Sequence, residues 1–456
     1  MTSGTDDLLA ELVELMRPIA EYHQRSNDEP DEDFFWSTAP EFMGASWDEL
    51  TTIRKGVSYV EKIACGKRIA DILTENTDVL REGVNTEHDA PMWESLDVDG
   101  EPMSYCPEMG LYAPKGFLIE QSAAILCANS GSAGNKGPFV SITVPRIYRT
   151  EATEWLDSFV EKAIGQFNVL KGRVLSATAT KTGMDLSIIT DAKVSPRSAL
   201  IMDDAVWDEL ELNASVLTER NEDLKALGMS TRRGVLLEGK PGVGKSQLCR
   251  TFAEELNQQG CTVVHVSYSV GSHQLKSVFD SAEHLGKVVF ILDDIDLYLR
   301  KRNDGDPGAL SDFLSVMDGA AKYDDILVLG TTNDVSVLDD AAIRSARFDR
   351  VIKVSNPTFD NGARILDSLF AKIGIDNIDT KKVIAAAPKD PKEEDRMAVS
   401  GANLQEVVRR AVMTYGVAEV STERLVEVMV DTPWVPDSII HSRNKSTIGF
   451  SMGAGK

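Results

Sequence analysis

Cysteine is scarce in this sequence, and its placement excludes the kinds of protein that depend on it. Five cysteines occur among 456 residues, and no two of them are spaced as Cys-x-x-Cys. An odd and scattered set argues against a disulfide framework and against a zinc knuckle. The same usage is typical of a reducing compartment, so we expect a cytoplasmic protein.

Long apolar runs and a targeting leader are also missing. No run approaches the roughly 20 apolar residues that a membrane-spanning helix needs. The first residues, MTSGTDDLLAEL, lack the basic start of a secretory signal, and their early acids disfavour a mitochondrial presequence. We therefore expect a soluble chain with no membrane segment. At roughly 150 residues per domain, its length predicts about three domains.

Basic residues are outnumbered. The 72 Asp and Glu against 48 Lys and Arg give a formal net charge of −24, and residues 1–110 hold 25 acidic but only 8 basic side chains. A charge of this sign repels phosphate backbones at long range, so a nucleic-acid partner is not expected. Arg300–Arg302 is the local basic cluster that would have to overcome this repulsion.

The N-terminal part carries no motif that points to chemistry. Residues 1–33 combine an amphipathic helix, expected over 5–22, with an acidic linker. We interpret that helix either as a packing element or as a recruiting motif for a partner. Residues 34–200 are expected to form a mixed α+β region of unassigned fold that receives a protein substrate or adaptor, with a β-hairpin near its end.

From residue 201 the pattern changes to that of an α/β protein. Short apolar runs rich in β-branched residues alternate with helical stretches, which is typical of a parallel sheet covered on both faces. The runs are 235–238, 262–267, 288–294, 326–333 and 351–355.

A glycine-rich loop follows the first of these runs. The sequence GKPGVGKS over residues 239–246 fits GxxxxGK[ST] between a strand and a helix, the context that a phosphate-binding loop requires. Its amides and the helix N-terminus attract an anion, while Lys245 reaches the β- and γ-phosphates and Ser246 ligates Mg²⁺. The residues expected to bind ATP are Gly239, Lys240, Pro241, Gly242, Val243, Gly244, Lys245, Ser246 and Gln247.

Polar residues end two later runs. Asp293 and Asp294 follow VVFIL, at the edge of a parallel sheet where ligands collect. We expect Asp293 to ligate Mg²⁺ and Asp294 to act as the general base on the attacking water. Asn333 ends the next run, and its amide is suited to holding that water or the γ-phosphate.

In this order the motifs resemble the AAA branch of the AAA+ ATPases, over residues 200–432. LDDAAIRSARFDR (338–350) is similar to the second region of homology of that family, a more specific signature than the phosphate-binding loop. The resemblance implies an α/β P-loop NTPase sheet over 201–357, a helical lid over 358–435 and a flexible tail over 436–456.

The resemblance also implies functional residues and an assembly. Asp293 and Asp294 match the Walker B motif, and Asn333 matches sensor 1. Arg347 and Arg350 match arginine fingers that act on a neighbouring subunit, although a basic helix end paired with nearby acids also explains them. Gly401 and Ala402 would lie beside adenine and ribose. Members of this family usually form hexameric homo-oligomers that use ATP to thread, unfold or disassemble macromolecules.

Departures from the family pattern leave the function open. Asp294 stands where the family has Glu, and a displacement of about 1 Å at a reacting group can cost about 10²-fold in rate. Tyr268 lies in a shortened pore loop, where it either lines a pore or packs at a strand end; Arg300–Arg302 is either a second pore loop or a solvated turn. Three hypotheses follow: a ring ATPase that remodels proteins, a nucleotide-gated scaffold with slow hydrolysis, and, least favoured by charge, a nucleic-acid motor or loader.

Overall fold

The structure, a computed structural model, describes most of the chain between residues 34 and 432. The described ranges are 34–76, 80–82, 92–130, 136–180, 183–190, 194–267, 269–270, 272–295, 323–333 and 348–432. Within them, no helix has both the length and the apolar character that crossing a membrane requires. The helix predicted over 5–22 and the predicted tail lie outside the described residues. The chain divides into two units, residues 1–169 and 170–456.

An antiparallel sheet with helices forms the described part of the first unit. Its strands are ordered β1-β6-β5-β4-β2, and β3 pairs with β4. The elements in chain order are α1 (Phe34–Met43), β1 (Leu50–Gly56), α2 (Tyr59–Glu75), β2 (Leu80–Glu82), β3 (Met92–Val98), β4 (Glu101–Ala113), β5 (Ala123–Ser130), β6 (Lys136–Pro145) and α3 (Arg149–Phe167).

Alternation along the strands separates two apolar layers in this unit. On β4, Leu111 and Ala113 join the main core, to which α2 and α3 also contribute. The intervening Tyr112 points the other way and packs with Ala39 of α1. This two-residue period is the one expected for a sheet that is covered on both faces. The mixed α+β composition predicted for the N-terminal region is observed.

The second unit is built on a seven-stranded sheet with the order β13-β9-β12-β11-β10-β7-β8. Neighbouring strands are parallel except for β7 and β8. The elements before the lid are β7 (Val174–Thr180), β8 (Gly183–Ile188), α4 (Asp204–Ala214), α5 (Asn221–Ala226), β9 (Arg232–Glu238), α6 (Lys245–Gln258), β10 (Thr262–Val266), α7 (Ser272–Asp280), α8 (Ala282–Leu285), β11 (Val288–Leu292), β12 (Ile326–Thr332) and β13 (Arg350–Lys353). The five apolar runs of the sequence are β9 to β13, as the α/β prediction requires.

The predicted hairpin is present as β7–β8, but it belongs to the second unit and not to the N-terminal region. A hairpin was expected near the end of the N-terminal region, which we ended at residue 200. In the structure β7 pairs in parallel with β10, for example Leu175 with Val264, so the hairpin extends the large sheet. The division falls at residues 169 and 170 instead, because the pairing partner of β7 lies about 90 residues further along the chain.

A helical lid follows β13 and has its own core. Its helices are α9 (Phe359–Ile373), α10 (Thr380–Ala385), α11 (Gly401–Tyr415) and α12 (Thr422–Asp431). Thr358, Ser400 and Ser421 cap three of them, each accepting a hydrogen bond from a backbone amide of the first turn. The apolar faces of these helices meet in a cluster that includes Leu366, Phe370, Leu404, Val407, Leu425 and Met429.

Candidate nucleotide-binding site

The glycine loop joins β9 to α6 and passes close to two other segments of the same chain. A Cβ at Gly239 would lie 2.1 Å from the carbonyl oxygen of Val354, and one at Gly242 would lie 2.8 Å from Oγ of Ser400. Only glycine fits such approaches without moving the backbone. The loop ends at the N-terminus of α6, a 14-residue helix, where backbone amides favour an anion.

Lys245 lies at the centre of this loop. It is 6% exposed, and its Nζ donates to the carbonyl oxygens of Gly239 (2.7 Å) and Lys240 (3.2 Å) and to Oδ1 of Asn333 (2.9 Å). Lys245 and Asn333 are 88 residues apart in the sequence. The order of β9 and β12 in the sheet brings them together, because parallel strands present their carboxyl ends at one edge.

The two aspartates after β11 share a partner on β12. Oδ1 of Asp293 accepts from the hydroxyl of Thr331 (3.2 Å), and the backbone amide of Asp294 donates to that same hydroxyl (2.8 Å). Asn333 Nδ2 donates to Oδ1 of Asp294 at 3.4 Å, a long contact. Asn333 therefore contacts both the expected phosphate-binding lysine and the expected general base.

The residues expected to hold magnesium have the right chemistry for that ion. Ser246 and Asp293 offer oxygen atoms, which Mg²⁺ prefers. Within the described ranges, no group of three or more His, Cys, Asp or Glu side chains is placed to hold a metal by itself. Mg²⁺ is usually held by one or two carboxylates and completed by substrate phosphates and water. ATP and Mg²⁺ together would therefore suit this donor set.

A cleft beside Asp293 contains residues that the sequence did not single out. It has a volume of about 220 Å³ and is lined by Ser176, Arg250, His265, Val266, Ser267, Ile291, Asp293 and Asp294. Arg250 donates to Oδ2 of Asp293 at 3.2 Å, so both carboxylate oxygens of Asp293 have partners. Burial, with a smaller effect of Arg250, lowers the pKa of His265 to about 4. His265 is therefore neutral near pH 7.

The lid and the segment 201–203 before α4 line a pocket next to the loop. Gly401 lies in its wall, and the Ala402 amide donates to the Gly242 carbonyl oxygen at 3.1 Å. The predicted adenine-side residues are thus beside the loop. Val243, another predicted ATP-binding residue, also lies in the wall. The sequence did not single out the other apolar residues there, Ile201, Met202, Val206, Val354 and Ile365.

A charged segment of the lid, residues 388–398, ties it to the rest of the site; we call it the lid strap. Its Asp390 pairs with Lys240 of the glycine loop at 3.3 Å, and its Arg396 pairs with Asp203 at 2.6 Å. Glu393 of the strap also pairs with Lys353. None of these partners was predicted from the sequence.

The structure answers only part of the arginine-finger prediction. Arg347 lies outside the described residues, as do Tyr268 and Arg300–Arg302. Arg350 begins β13, and its Nε donates to Oε2 of Glu209 in α4 at 2.8 Å. This pair within one chain was not predicted. It engages Arg350 locally, whereas a finger must reach the neighbouring subunit.

The glycine loop between a strand and a helix, with carboxylates at the end of a nearby strand of a parallel sheet, defines a P-loop nucleotide-binding protein of the α/β class. Residues 235–356 match the family model described as "ATPase family associated with various cellular activities (AAA)". The second unit therefore contains an AAA-type domain over residues 235–356.

Several curated proteins are similar to part of the chain. Proteasome-activating nucleotidase 2 of Halobacterium salinarum is 31% identical over 205 residues, which cover 42% of this chain and 48% of the relative. The ATP-dependent zinc metalloprotease FtsH of Nitrosococcus oceani is 30% identical over 239 residues, which cover 49% of this chain and 35% of the relative. The FtsH of Magnetococcus marinus is 28% identical over 276 residues, which cover 58% of this chain and 37% of the relative. The chain thus spans about half or less of these relatives.

Proposed function

We propose that this protein is a magnesium-dependent ATPase that assembles into a ring and remodels a protein partner. The observation that carries the proposal is the position of Asn333, whose amide contacts Lys245 on one side and Asp294 on the other. An arrangement in which one side chain touches both the phosphate-binding residue and the base suits hydrolysis better than binding alone.

Each residue of the site has a distinct role in this proposal. The loop amides, the α6 N-terminus and Lys245 bind the phosphates, and Ser246 with Asp293 holds Mg²⁺, which neutralises charge on the phosphates. Asp294 accepts a proton from the attacking water, and Asn333 orients that water. On the lid side, Gly401 and Ala402 lie beside the adenine of the nucleotide and exclude solvent from it.

The proposed assembly rests on the arginine that follows the site. Arg347 would stabilise charge on the γ-phosphate bound by a neighbouring subunit, which a monomer does not allow. A homo-oligomeric ring, hexameric by the family pattern, follows from this role. The first unit would receive a protein substrate or adaptor. A protein partner is supported by the names of the relatives, a proteasome-activating nucleotidase and an ATP-dependent protease, and by the net charge of −24.

A specific observation favours a second function, a nucleotide-gated scaffold with slow hydrolysis. Asp294 is one methylene shorter than the family's Glu, and its backbone has φ of +48°, in the left-handed region. Such a conformation is rare for residues other than glycine. If it holds the carboxylate away from the attacking water, nucleotide binding would assemble the protein without fast turnover.

Steady-state ATPase activity against protein concentration tests the proposal, with mass photometry on the same samples. We expect wild-type turnover per subunit to rise as assemblies form. Arg347→Ala should lower turnover by at least about 10³-fold while nucleotide affinity stays within about twofold, because a finger acts on the transition state. Lys245→Ala should lower nucleotide affinity instead. Assembly without turnover would favour the scaffold, and turnover independent of assembly and of Arg347 would refute the ring ATPase.

A further inference from the structure

Thr331 lies two residues before Asn333, and no role was predicted for it from the sequence. It is fully buried, with 0% exposure, near the end of β12. β12 pairs in parallel with β11, and Gly330 lies opposite Leu292. Thr331 is therefore level with Asp293, the first residue beyond β11. Its place on a neighbouring strand, rather than its distance in the sequence, brings it to the site.

The hydroxyl of Thr331 makes two hydrogen bonds, and both go to the predicted catalytic aspartates. It donates to the Asp293 carboxylate at 3.2 Å and accepts from the Asp294 amide at 2.8 Å. One side chain thus holds the carboxylate expected to bind Mg²⁺ and the backbone of the expected general base. Thr331 and Asn333 are two residues apart at the carboxyl end of β12, which ends at Thr332.

The contact with the Asp294 amide matters because of the conformation of that residue. Asp294 has φ of +48°, which turns the chain sharply after β11. Aspartate and asparagine adopt this region more readily than other residues with a side chain, as Asp99, Asp325 and Asn377 also do here, and contacts of the backbone help to hold it. Thr331 holds the amide on one side of the turn, and fully buried Ile295 anchors the other side in the core.

The ordinary explanation for such a residue is that a buried hydroxyl simply needs partners. Thr262 in the same sheet is an example of that case. It is also fully buried, donates to the Leu285 carbonyl oxygen at 2.7 Å and accepts from the Gly172 amide at 2.8 Å, all among structural residues. Thr331 differs because its hydroxyl donates to a carboxylate of the site, although a backbone carbonyl oxygen would accept that hydrogen bond equally well.

We propose that Thr331 is a positioning residue that sets both aspartates of the site in place, fixing Asp293 for Mg²⁺ and turning the short side chain of Asp294 toward the attacking water. This inference rests on the proposed ATPase function and deepens it. It also accounts for how a site with aspartate instead of glutamate supports hydrolysis: the turn held by Thr331 changes the direction of the shorter side chain.

The test compares Thr331→Val, which removes the hydroxyl at nearly constant volume, with Thr331→Ser, which keeps it. Thr262→Val is the matched control, because it removes an equally buried and doubly bonded hydroxyl away from the site. We expect Thr331→Val to lower kcat by about 10²-fold, since misplacement by about 1 Å can cost that much. KM for Mg·ATP should rise as well, because the contribution of Mg²⁺ to affinity is lost. Thr331→Ser and Thr262→Val should stay within about threefold of the wild type.

A binding measurement separates positioning from a structural role. The affinity for a fluorescent ATP analogue is measured with Mg²⁺ and with EDTA. Thr331→Val should bind the analogue normally in EDTA but lose most of the gain in affinity that Mg²⁺ brings. Thermal unfolding should show similar losses of stability for Thr331→Val and Thr262→Val. If Thr331→Val does not fold, Thr331→Ala against Thr331→Ser takes its place in every assay.

The outcomes decide between the hypotheses. Equal kcat for Thr331→Val and Thr262→Val would refute the positioning role, and so would an equal loss in Thr331→Ser and Thr331→Val. A wild type that binds nucleotide but does not hydrolyse it would refute the ATPase proposal alone. The Mg²⁺-dependent affinity would then still decide the role of Thr331.

Discussion

Single polar residues join parts of this chain that are far apart in sequence. Asp325, which precedes β12, accepts from Asn221, Lys225 and Thr231, each at 2.8 Å. Burial alone would raise the pKa of Asp325, but these three hydrogen bonds together lower it. The carboxylate therefore links α5 and the start of β9 to β12, a connection that its position in the sequence does not indicate.

The lowered pKa makes this residue a source of pH-dependent stability. Because the folded pKa lies below the ordinary value of 3.8, the stabilisation is complete above pH 3.8 and is lost as the pH falls through the folded value. Asp325→Asn should lower the free energy of unfolding of the second unit by about 1–3 kcal/mol at neutral pH, since hydrogen bonds to a charged group are lost. Urea unfolding at about pH 7 and about pH 3 checks this, and the difference from wild type should shrink at the lower pH.

Asp223→Asn is the control for this prediction. Asp223 lies on α5 close to the same network, but it is exposed and makes only a surface pair with Arg220. Its replacement should change stability by less than about 0.5 kcal/mol. A difference between Asp325→Asn and wild type that stays constant with pH would show that the carboxylate charge is not what stabilises the fold.

At the scale of elements, the lid strap connects the nucleotide site to the lid. Lys240 belongs to the glycine loop, and its partner Asp390 is only 9% exposed. Burial raises the pKa of Asp390, but hydrogen bonds from the Lys392 amide and from Lys240 outweigh it, so its pKa is lowered. A charged partner on the lid therefore contacts the glycine loop, and we expect the position of the lid to affect nucleotide retention.

Breaking this pair should speed nucleotide release. Asp390→Asn keeps the shape of the side chain but removes its charge, and a partly exposed pair is worth up to about 1 kcal/mol, or about fivefold in rate. We expect release of a fluorescent ADP analogue, followed by stopped flow, to accelerate about two- to fivefold. The effect should diminish at high salt, because exposed charges are screened.

Glu423→Gln is a matched control because it removes the charge from a pair with Lys382, and both of these residues lie within the lid. Release from that variant should equal the wild-type rate. Equal acceleration in both variants would mean that lid stability, and not the contact with the loop, sets the rate of release.

At the scale of the whole molecule, the chain consists of two units, with the boundary between residues 169 and 170. The segment 170–173 and the hairpin β7–β8 belong to the second unit, in which Gly172 bonds to Thr262 and Asn257. β7 also occupies the side of β10 that faces away from β11. Removing these residues would leave β10 as an unpaired edge, which favours aggregation.

Two shortened chains test the boundary. A chain that begins at residue 170 should fold and bind nucleotide with an affinity within about twofold of the full chain, because its sheet is intact. A chain that begins at residue 201 should unfold at a lower temperature or elute as aggregate in size-exclusion chromatography. If the shorter chain is as stable and as monodisperse as the longer one, the hairpin is dispensable to the sheet.

Local sequence patterns made much of the fold of the second unit predictable. The runs that became β9 to β13 are apolar and β-branched because a parallel sheet buries both faces. The lid helices were predictable from apolar spacing and from caps such as Ser400 and Ser421. The fold of the first unit was not, because antiparallel pairing of β1 with β6 joins residues about 90 apart and leaves no local signal.

The sequence by itself determined which residues are candidates for the nucleotide site and in what kind of element each lies. The glycine loop, the acids after an apolar run and the asparagine after the next run are short patterns, and their chemistry follows from residue type and strand position. The tertiary structure alone decided their partners: Thr331 on both aspartates, Asp390 on Lys240, Glu209 on Arg350, and β7 beside β10. These contacts depend on the order of strands in the sheet and on the packing of the lid, which bring together residues about 40 to 150 positions apart.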